Sequence, residues 1–132
     1  MKQKVSDYIA DRIAQWGIRD VFTVTGGAMH MNDSFGHHPK LHCTYQHHEQ
    51  ACAMAAEAYA RMDNRMAAVC VTTGPGATNA ITGVLGAWMD SIPMLVFSGQ
   101  ARYATTVPAS GLPLRSMGVQ ECNIVPVVAS IT

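Results

Sequence analysis

The chain has 132 residues, enough for one domain with its own hydrophobic core and too few for two domains of ordinary size. Nine basic residues balance nine acidic residues and neither sign is clustered, which argues against a nucleic-acid or anionic-membrane partner. Only 14% of the residues are charged, whereas about 25% is usual in a soluble domain. We therefore expect another domain or subunit to cover part of the surface.

The cysteines indicate a reducing compartment. Cys43, Cys52, Cys70 and Cys122 show no C-x-x-C spacing, and three of them lie in apolar runs, where a thiol behaves as a small hydrophobic side chain. Reduced thiols and a cytoplasmic location are expected. Residues 1–17 lack the apolar segment of a secretion signal, and no run reaches the ~18 apolar residues of a membrane span.

Helical and strand-like apolar patterns alternate along the chain. Helices are predicted at residues 5–16, 28–35, 47–61 and 77–88. Strands are predicted at residues 21–25, 41–45, 67–72 and 92–97. Because these strands are continuously apolar rather than alternating, both faces of the sheet should be covered. The pattern predicts an α/β fold, a three-layer α/β/α domain with a mostly parallel sheet.

Turn and helix-end residues set the expected boundaries. Ser6 is a candidate N-cap of the first helix, and Gly17 should end that helix. Pro75 suits the first position of the helix that follows the third strand. Residues 101–119 hold two prolines and two glycines and are predicted to form a long loop, a type that is usually functional or mobile.

The candidate functional residues follow the strands. In an open parallel sheet, ligands bind at the carboxyl ends of the strands, which here lead into residues 26–28, 47–50, 73–79 and 98–100. Three of these segments carry glycine, which lets a ligand lie against bare backbone, and Glu49 is the only carboxylate among them. One carboxylate among glycine turns suits a flat neutral or cationic heterocycle better than a phosphate.

Two other interpretations stay open at this point. The helix dipole alone favours a glutamate in a first helical turn. The turn Gly74-Pro75-Gly76 resembles a nucleotide-binding fingerprint, but Asn79 stands where a third glycine is needed and no P-loop lysine follows. A nucleotide-binding module and a non-catalytic assembly module built on the alanine-rich third helix are therefore the alternatives.

The histidines raise the question of metal binding. All six fall between residues 30 and 48, and imidazole is a common metal ligand. No pair shows the i, i+4 helical spacing with an intervening glutamate that zinc proteases use. We predict no metal site and interpret the histidines as loop and surface residues, with His30 and His48 near the mouth of the pocket.

Several motifs together resemble one enzyme family. In chain order they are Gly26-Gly27-Ala28, His48-Glu49-Gln50, Thr73-Gly74-Pro75-Gly76-Ala77-Thr78-Asn79, Asp90-Ser91-Ile92-Pro93 and Ser98-Gly99-Gln100. This series resembles the N-terminal pyrimidine-binding domain of thiamine-diphosphate enzymes of the acetolactate-synthase type, over nearly all of residues 1–132. Residues 27–30 and 86–94 are more similar to acetolactate-synthase-like proteins of sugar and surface-polysaccharide pathways.

The resemblance implies a role for each candidate residue. Glu49 matches the family's catalytic glutamate, which hydrogen-bonds ring nitrogen N1′ of the aminopyrimidine and favours the imino tautomer of the 4′-amino group, which then removes the proton from thiazolium carbon C2. The residues expected around the pyrimidine are Gly26, Gly27, Glu49, Thr73, Gly74, Pro75 and Asn79. The residues expected on the substrate side are Gln100, Gln120 and His30.

The resemblance also implies partners outside this chain. Family members continue into a middle domain and a second α/β domain, whose Gly-Asp-Gly motif holds Mg²⁺ and the diphosphate; this sequence has no Gly-Asp-Gly. We therefore expect residues 1–132 to be a fragment of a transferase or lyase that acts on 2-keto acids. The fragment should be inactive alone, and the enzyme should be a homodimer or a dimer of dimers. Binding of FAD stays open.

A 2-keto acid decarboxylase of the same superfamily is the alternative within the family. Val119 precedes Gln120 and Glu121 at a position where acetolactate synthases usually carry an aromatic residue, which argues against acetolactate chemistry. The decarboxylase branch, in turn, carries a His-His pair after the glycine–proline turn, and no histidine follows His48 here. The sequence therefore leaves the reaction type open.

Overall fold

The computed structural model describes residues 2–132, which form four β-strands and seven α-helices. The strands are β1 (Asp20–Thr23), β2 (His42–Tyr45), β3 (Ala67–Val71) and β4 (Met94–Ser98). The helices are α1 (Val5–Gln15), α2 (Met29–His37), α3 (Glu49–Asp63), α4 (Pro75–Asn79), α5 (Ile81–Met89), α6 (Val107–Ser110) and α7 (Ile124–Val128). No helix within residues 2–132 combines the length and apolarity needed to cross a bilayer.

The four strands form one sheet in the order β2-β1-β3-β4, and every neighbouring pair is parallel. In the central register, Phe22 of β1 lies between Thr44 of β2 and Val69 of β3. All five residues of β3 are buried. The predicted α/β class is confirmed, and the sheet is entirely parallel rather than mostly so.

Helices cover both faces of the sheet because β3 presents small apolar side chains to each face. Ala68 and Cys70 belong to a core cluster with residues of α1 and α2, including Ile13 and Phe35. On the opposite face, Ala67, Val69 and Val71 of the same strand pack with alanines of α3 and with residues near α4. The predicted three layers therefore follow from the alternation of side chains along a strand that is buried on both sides.

The predicted N-cap role of Ser6 is wrong. Lys4 occupies the N-cap position of α1, and its side chain makes no capping bond. Ser6 is buried inside the helix, with its Oγ 2.8 Å from the Oγ of Ser34 on α2. Ser34 in turn donates a hydrogen bond of 2.6 Å to the carboxylate of Asp7. The hydroxyl of Ser6 thus serves the contact between α1 and α2 instead of the helix end.

The helix predicted at residues 77–88 is two helices. α4 begins at Pro75, as the proline predicted, and ends at Asn79, whereas α5 begins at Ile81. Ala80 joins them with right-handed helical dihedral angles, and its N–H bonds to the carbonyl oxygen of Ala77 at 3.2 Å, three residues back, while its methyl group is buried in the core. The predicted loop at residues 101–119 contains a short 3-10 turn and α6.

α3 and α5 approach each other closely at Gly83. A Cβ atom added to Gly83 would lie only 2.6 Å from the Cβ of Ala53 and 3.0 Å from the backbone nitrogen of Met54. The alanine content of α3 and the glycine of α5 together permit this separation. The contact fixes how the N-terminal turn of α3 is held relative to α4, the helix that immediately precedes α5.

Replacement of Gly83 by alanine is expected to lower the free energy of unfolding by about 1–3 kcal/mol, because the added methyl group would overlap the backbone of α3. Gly86→Ala is the matched control on the same helix. Its Cβ would make an ordinary 3.7 Å contact with Glu57, and alanine favours helix over glycine by up to about 1 kcal/mol. Urea unfolding measures both, and equal effects of the two substitutions would contradict the close contact.

Candidate active site

The site lies where the order of the strands reverses. The chain passes from β1 outward to β2 on one side, and from β3 outward to β4 on the other. The carboxyl ends of β1 and β3 therefore border a crevice of the kind in which open α/β sheets bind ligands. The two strand ends are joined across it, because the backbone N–H of Gly27 donates a 2.5 Å hydrogen bond to Oγ1 of Thr72.

Glu49 is the first residue of α3, the helix that follows β2. His48 caps this helix, and its Nδ1 accepts a 3.2 Å hydrogen bond from the backbone N–H of Gln50. The Glu49 side chain turns inward, and only 9% of the residue is exposed. Its Oε2 accepts a 3.0 Å hydrogen bond from Nδ2 of Asn79, at the end of α4.

The second carboxylate oxygen of Glu49 lies above bare backbone. A Cβ atom on Gly76 would be 3.1 Å from Oε1 of Glu49 and would also overlap the methyl group of Thr72. Within residues 2–132, no hydrogen bond reaches Oε1. Glu49 therefore offers one oxygen that is already bonded and one that is free, next to a backbone segment that only glycine can form.

The turn that carries Gly76 also requires glycine at Gly74, whose φ is +58°. A side chain on Gly74 would collide with the backbone carbonyl oxygen of Gln120. The loop after β4 thus folds back onto the turn after β3. Gln120 itself has a φ of +56°, which aims its carbonyl group at the turn while its side chain is exposed.

The other residues expected around a pyrimidine lie on the same two turns. Gly26 and Gly27 are exposed after β1, and Thr73 is buried after β3. Oγ1 of Thr73 lies 3.1 Å from the position that a Cβ on Gly27 would take. Pro75 starts α4 at the rim of the site. These four residues and Glu49 are brought to one edge of the sheet, and their contact with a cofactor stays a prediction.

His30 and Gln100 border one open cavity of about 490 Å³ between α2 and the end of β4. The amide of Gln100 is bonded within the chain, since Nε2 donates to the carbonyl oxygen of Cys122 at 2.6 Å and Oε1 accepts from the N–H of Ala101 at 2.8 Å. Gln100 therefore closes the base of the loop that ends at Cys122. A role on the substrate side stays a prediction for His30, Gln100 and Gln120.

Sequence analysis missed Glu121, which organises that loop. Its carboxylate accepts hydrogen bonds from the backbone N–H groups of Val107 at 2.8 Å and of Met117 and Gly118 at 3.0 Å. These bonds, led by the one from Gly118, hold the pKa of Glu121 below its usual value of 4.5. The residue next to it is Gln120, so the carboxylate also fixes where Gln120 meets Gly74.

The cysteine nearest to Glu49 is held as a thiol. Burial, and secondarily the charge of Glu49, raise the pKa of Cys52 to about 11. Cys70, in β3, has its pKa raised to about 12, chiefly by burial. Neither thiol is a nucleophile at neutral pH, because the thiolate is the reactive form. Within residues 2–132, no three His, Cys, Asp or Glu side chains are grouped so that they could hold a metal ion.

The sequence of this chain is similar to that of known proteins. The sequence profile of the family described as "Thiamine pyrophosphate enzyme, N-terminal TPP binding domain" matches residues 3–127. Thiamine pyrophosphate is another name for thiamine diphosphate. The chain belongs to this family.

Curated relatives support the assignment. The chain is 37% identical to acetolactate synthase 2, chloroplastic, of Zea mays over 134 aligned residues, covering 98% of this chain and 19% of that protein. It is 34% identical to the acetolactate synthase large subunit of Lactococcus lactis, covering 96% of this chain and 21% of that protein. The chain spans about a fifth of the length of the relatives it matches.

The loop around Glu121 should open in acid. Because the pKa of this carboxyl is lowered in the folded protein, its contribution is present above the usual value of 4.5 and is lost as the pH falls through the folded value. Hydrogen exchange at the amides of Val107, Met117 and Gly118 should therefore accelerate in acid more than the intrinsic rate explains. The amides of β3 provide the control, and equal protection of both sets at low pH would contradict this role of Glu121.

Proposed function

We propose that this domain binds the aminopyrimidine ring of thiamine diphosphate and activates the cofactor within an enzyme that acts on 2-keto acids. The observation that carries the proposal is the buried carboxylate of Glu49, with one oxygen bonded to Asn79 and the other free above Gly76. A flat ring with a basic nitrogen is the kind of group that such a free oxygen can bind.

The surroundings of Glu49 fit this cofactor ring. Gly76 lets the carboxylate of Glu49 pack directly over the backbone of α4, since a side chain there would press on Oε1 and on Thr72. The turns after β1 and β3 offer backbone groups beside it, as in ligand sites at the carboxyl edge of other parallel sheets. Within residues 2–132, no three His, Cys, Asp or Glu side chains are grouped so that they could hold Mg²⁺.

The chain's own residues position and exchange a proton. Thiamine diphosphate supplies, when bound, a thiazolium carbon acid that reacts with the keto carbonyl. Glu49 would hydrogen-bond the pyrimidine nitrogen N1′ through Oε1 and supply a proton there, which would favour the imino form of the exocyclic amino group, the form that can accept a proton. The glycine turns exclude side chains from this space and let the ring reach the carboxylate.

The rest of the enzyme completes the site in this proposal. A separate domain binds Mg²⁺ and the diphosphate, so residues 1–132 alone are inactive, and the enzyme works in the cytoplasm as a homodimer or a dimer of dimers. This chain spans about a fifth of the length of its relatives, which supports the proposal of further domains. Exposed apolar side chains on α5, among them Leu85, Trp88 and Met89, support burial against another surface.

The reaction we favour is carbon–carbon bond formation of the acetolactate-synthase type, because the curated relatives carry that name. The similarity of residues 86–94 to acetolactate-synthase-like proteins of sugar and surface-polysaccharide pathways supports a place in such biosynthesis. Decarboxylation of a 2-keto acid is the alternative. Incubation of the purified full-length enzyme with a panel of 2-keto acids distinguishes them, since a ligase releases a condensation product with the CO₂ and a decarboxylase releases a free aldehyde.

Glu49→Gln should lower kcat of the full-length enzyme by roughly 100-fold or more, because the amide cannot exchange a proton with the ring. Glu57→Gln is the matched control. Glu57 lies two turns further along α3 and pairs with Arg61 at 2.6 Å, away from the strand ends. Steady-state kinetics with saturating cofactor and Mg²⁺ measure both variants. Full activity of the Glu49→Gln enzyme would contradict the proposed function.

A further inference from the structure

Asn79 and Glu49 come from different elements and meet at one hydrogen bond. Asn79 ends α4, Glu49 begins α3, and 3.0 Å separates Nδ2 of the amide from Oε2 of the carboxylate. The amide nitrogen points at a carboxylate that is 91% buried, whereas Asn79 itself is exposed. An exposed residue at the rim of the site therefore donates a hydrogen bond to the buried carboxylate inside it.

We propose that Asn79 is a positioning residue, which acts through Glu49 and decides which carboxylate oxygen is available to the ring. The inference rests on the proposed function of Glu49. An N–H donor on Oε2 favours that oxygen without a proton. The proton that Glu49 shares is therefore directed to Oε1, the oxygen that faces the bare backbone at Gly76.

The chemical type of the partner matters as much as its place. A lysine or arginine at this position would keep the carboxylate charged and oppose proton uptake. An aspartate would be repelled or would compete for the same proton. The amide of Asn79 is neutral and does not titrate, so it orients Glu49 in both protonation states without fixing either one.

The local backbone holds Asn79 in place for this task. Pro75 restricts the first position of α4, and the hydroxyl of Thr78 bonds back to the Pro75 carbonyl oxygen at 3.2 Å. Ala80, the next residue after Asn79, is anchored in the core with 1% exposure. The break between α4 and α5 therefore lies directly beside the residue that contacts Glu49.

The test compares Asn79→Ala and Asn79→Asp in the full-length enzyme. Loss of one hydrogen bond to a charged group should lower kcat by about 10–100-fold, while the Kd for thiamine diphosphate stays within about threefold. The carboxyl infrared bands of Glu49, assigned by difference from Glu49→Gln without substrate, should shift in both variants. Thr82→Ala, an exposed residue on α5, is the control and should leave kcat, Kd and the bands unchanged.

The outcomes distinguish failure of the positioning role of Asn79 from failure of the proposed function of Glu49. Unchanged kcat and unchanged bands in the Asn79 variants, with Glu49→Gln inactive, would overturn the positioning role and leave the proposed function standing. A parallel loss of kcat and cofactor affinity would make Asn79 a binding residue and would also overturn it. An active Glu49→Gln enzyme would remove both proposals. Thermal unfolding monitors folding, and if Asn79→Ala is unstable, Asn79→Leu decides, since it keeps the shape of the side chain without a donor or a charge.

Discussion

The site depends on how closely backbone segments approach one another at the carboxyl edge of the sheet. Glycines occupy the positions where segments meet: Gly76 beside Glu49, Gly74 beside the carbonyl group of Gln120, and Gly83 against Ala53. Each contact brings together elements that are distant in sequence. The carboxylate of Glu49 can be both buried and free on one oxygen only because its neighbours supply backbone rather than side chains.

Most of the fold could be predicted from the apolar pattern, because a strand buried on both faces is continuously apolar and a covered helix is periodic. The four strands and the first three helices lie within one or two residues of their predicted bounds. The errors come from tertiary contacts. Ser6 is an ordinary N-cap residue by local preference, but Ser34 on another helix uses its hydroxyl. The break at Ala80 coincides with a side chain buried in the core, and the apolar pattern of residues 77–88 does not reveal it.

The site was predictable to the extent that topology determines it. Parallel strands bring their carboxyl ends to one edge, so Glu49 and the glycine turns could be grouped before any contact was known. Thr72 and Glu121 were missed because each bonds to backbone N–H groups, which every non-proline residue has and which leave no mark in the sequence. Gln100 is the opposite case. Its place in a family motif suggested a role toward substrate, but its side chain donates a hydrogen bond to the carbonyl oxygen of Cys122 in the loop that follows β4.

The distribution of charge on α3 agrees with the proton exchange proposed for Glu49. The cation of this helix, Arg61, pairs with Glu57 and with Asp90 of the α5 end. Twelve residues separate Arg61 from Glu49, about 18 Å along a helix, and no ion pair to Glu49 occurs within residues 2–132. A cation beside Glu49 would stabilise its charged form and so hinder the proton transfer that the proposed function assigns to it. The neutral amide of Asn79 can orient the carboxyl group without stabilising its charge as a cation would, so the absence of an ion pair at Glu49 in the described part of the chain and the positioning role proposed for Asn79 agree with each other.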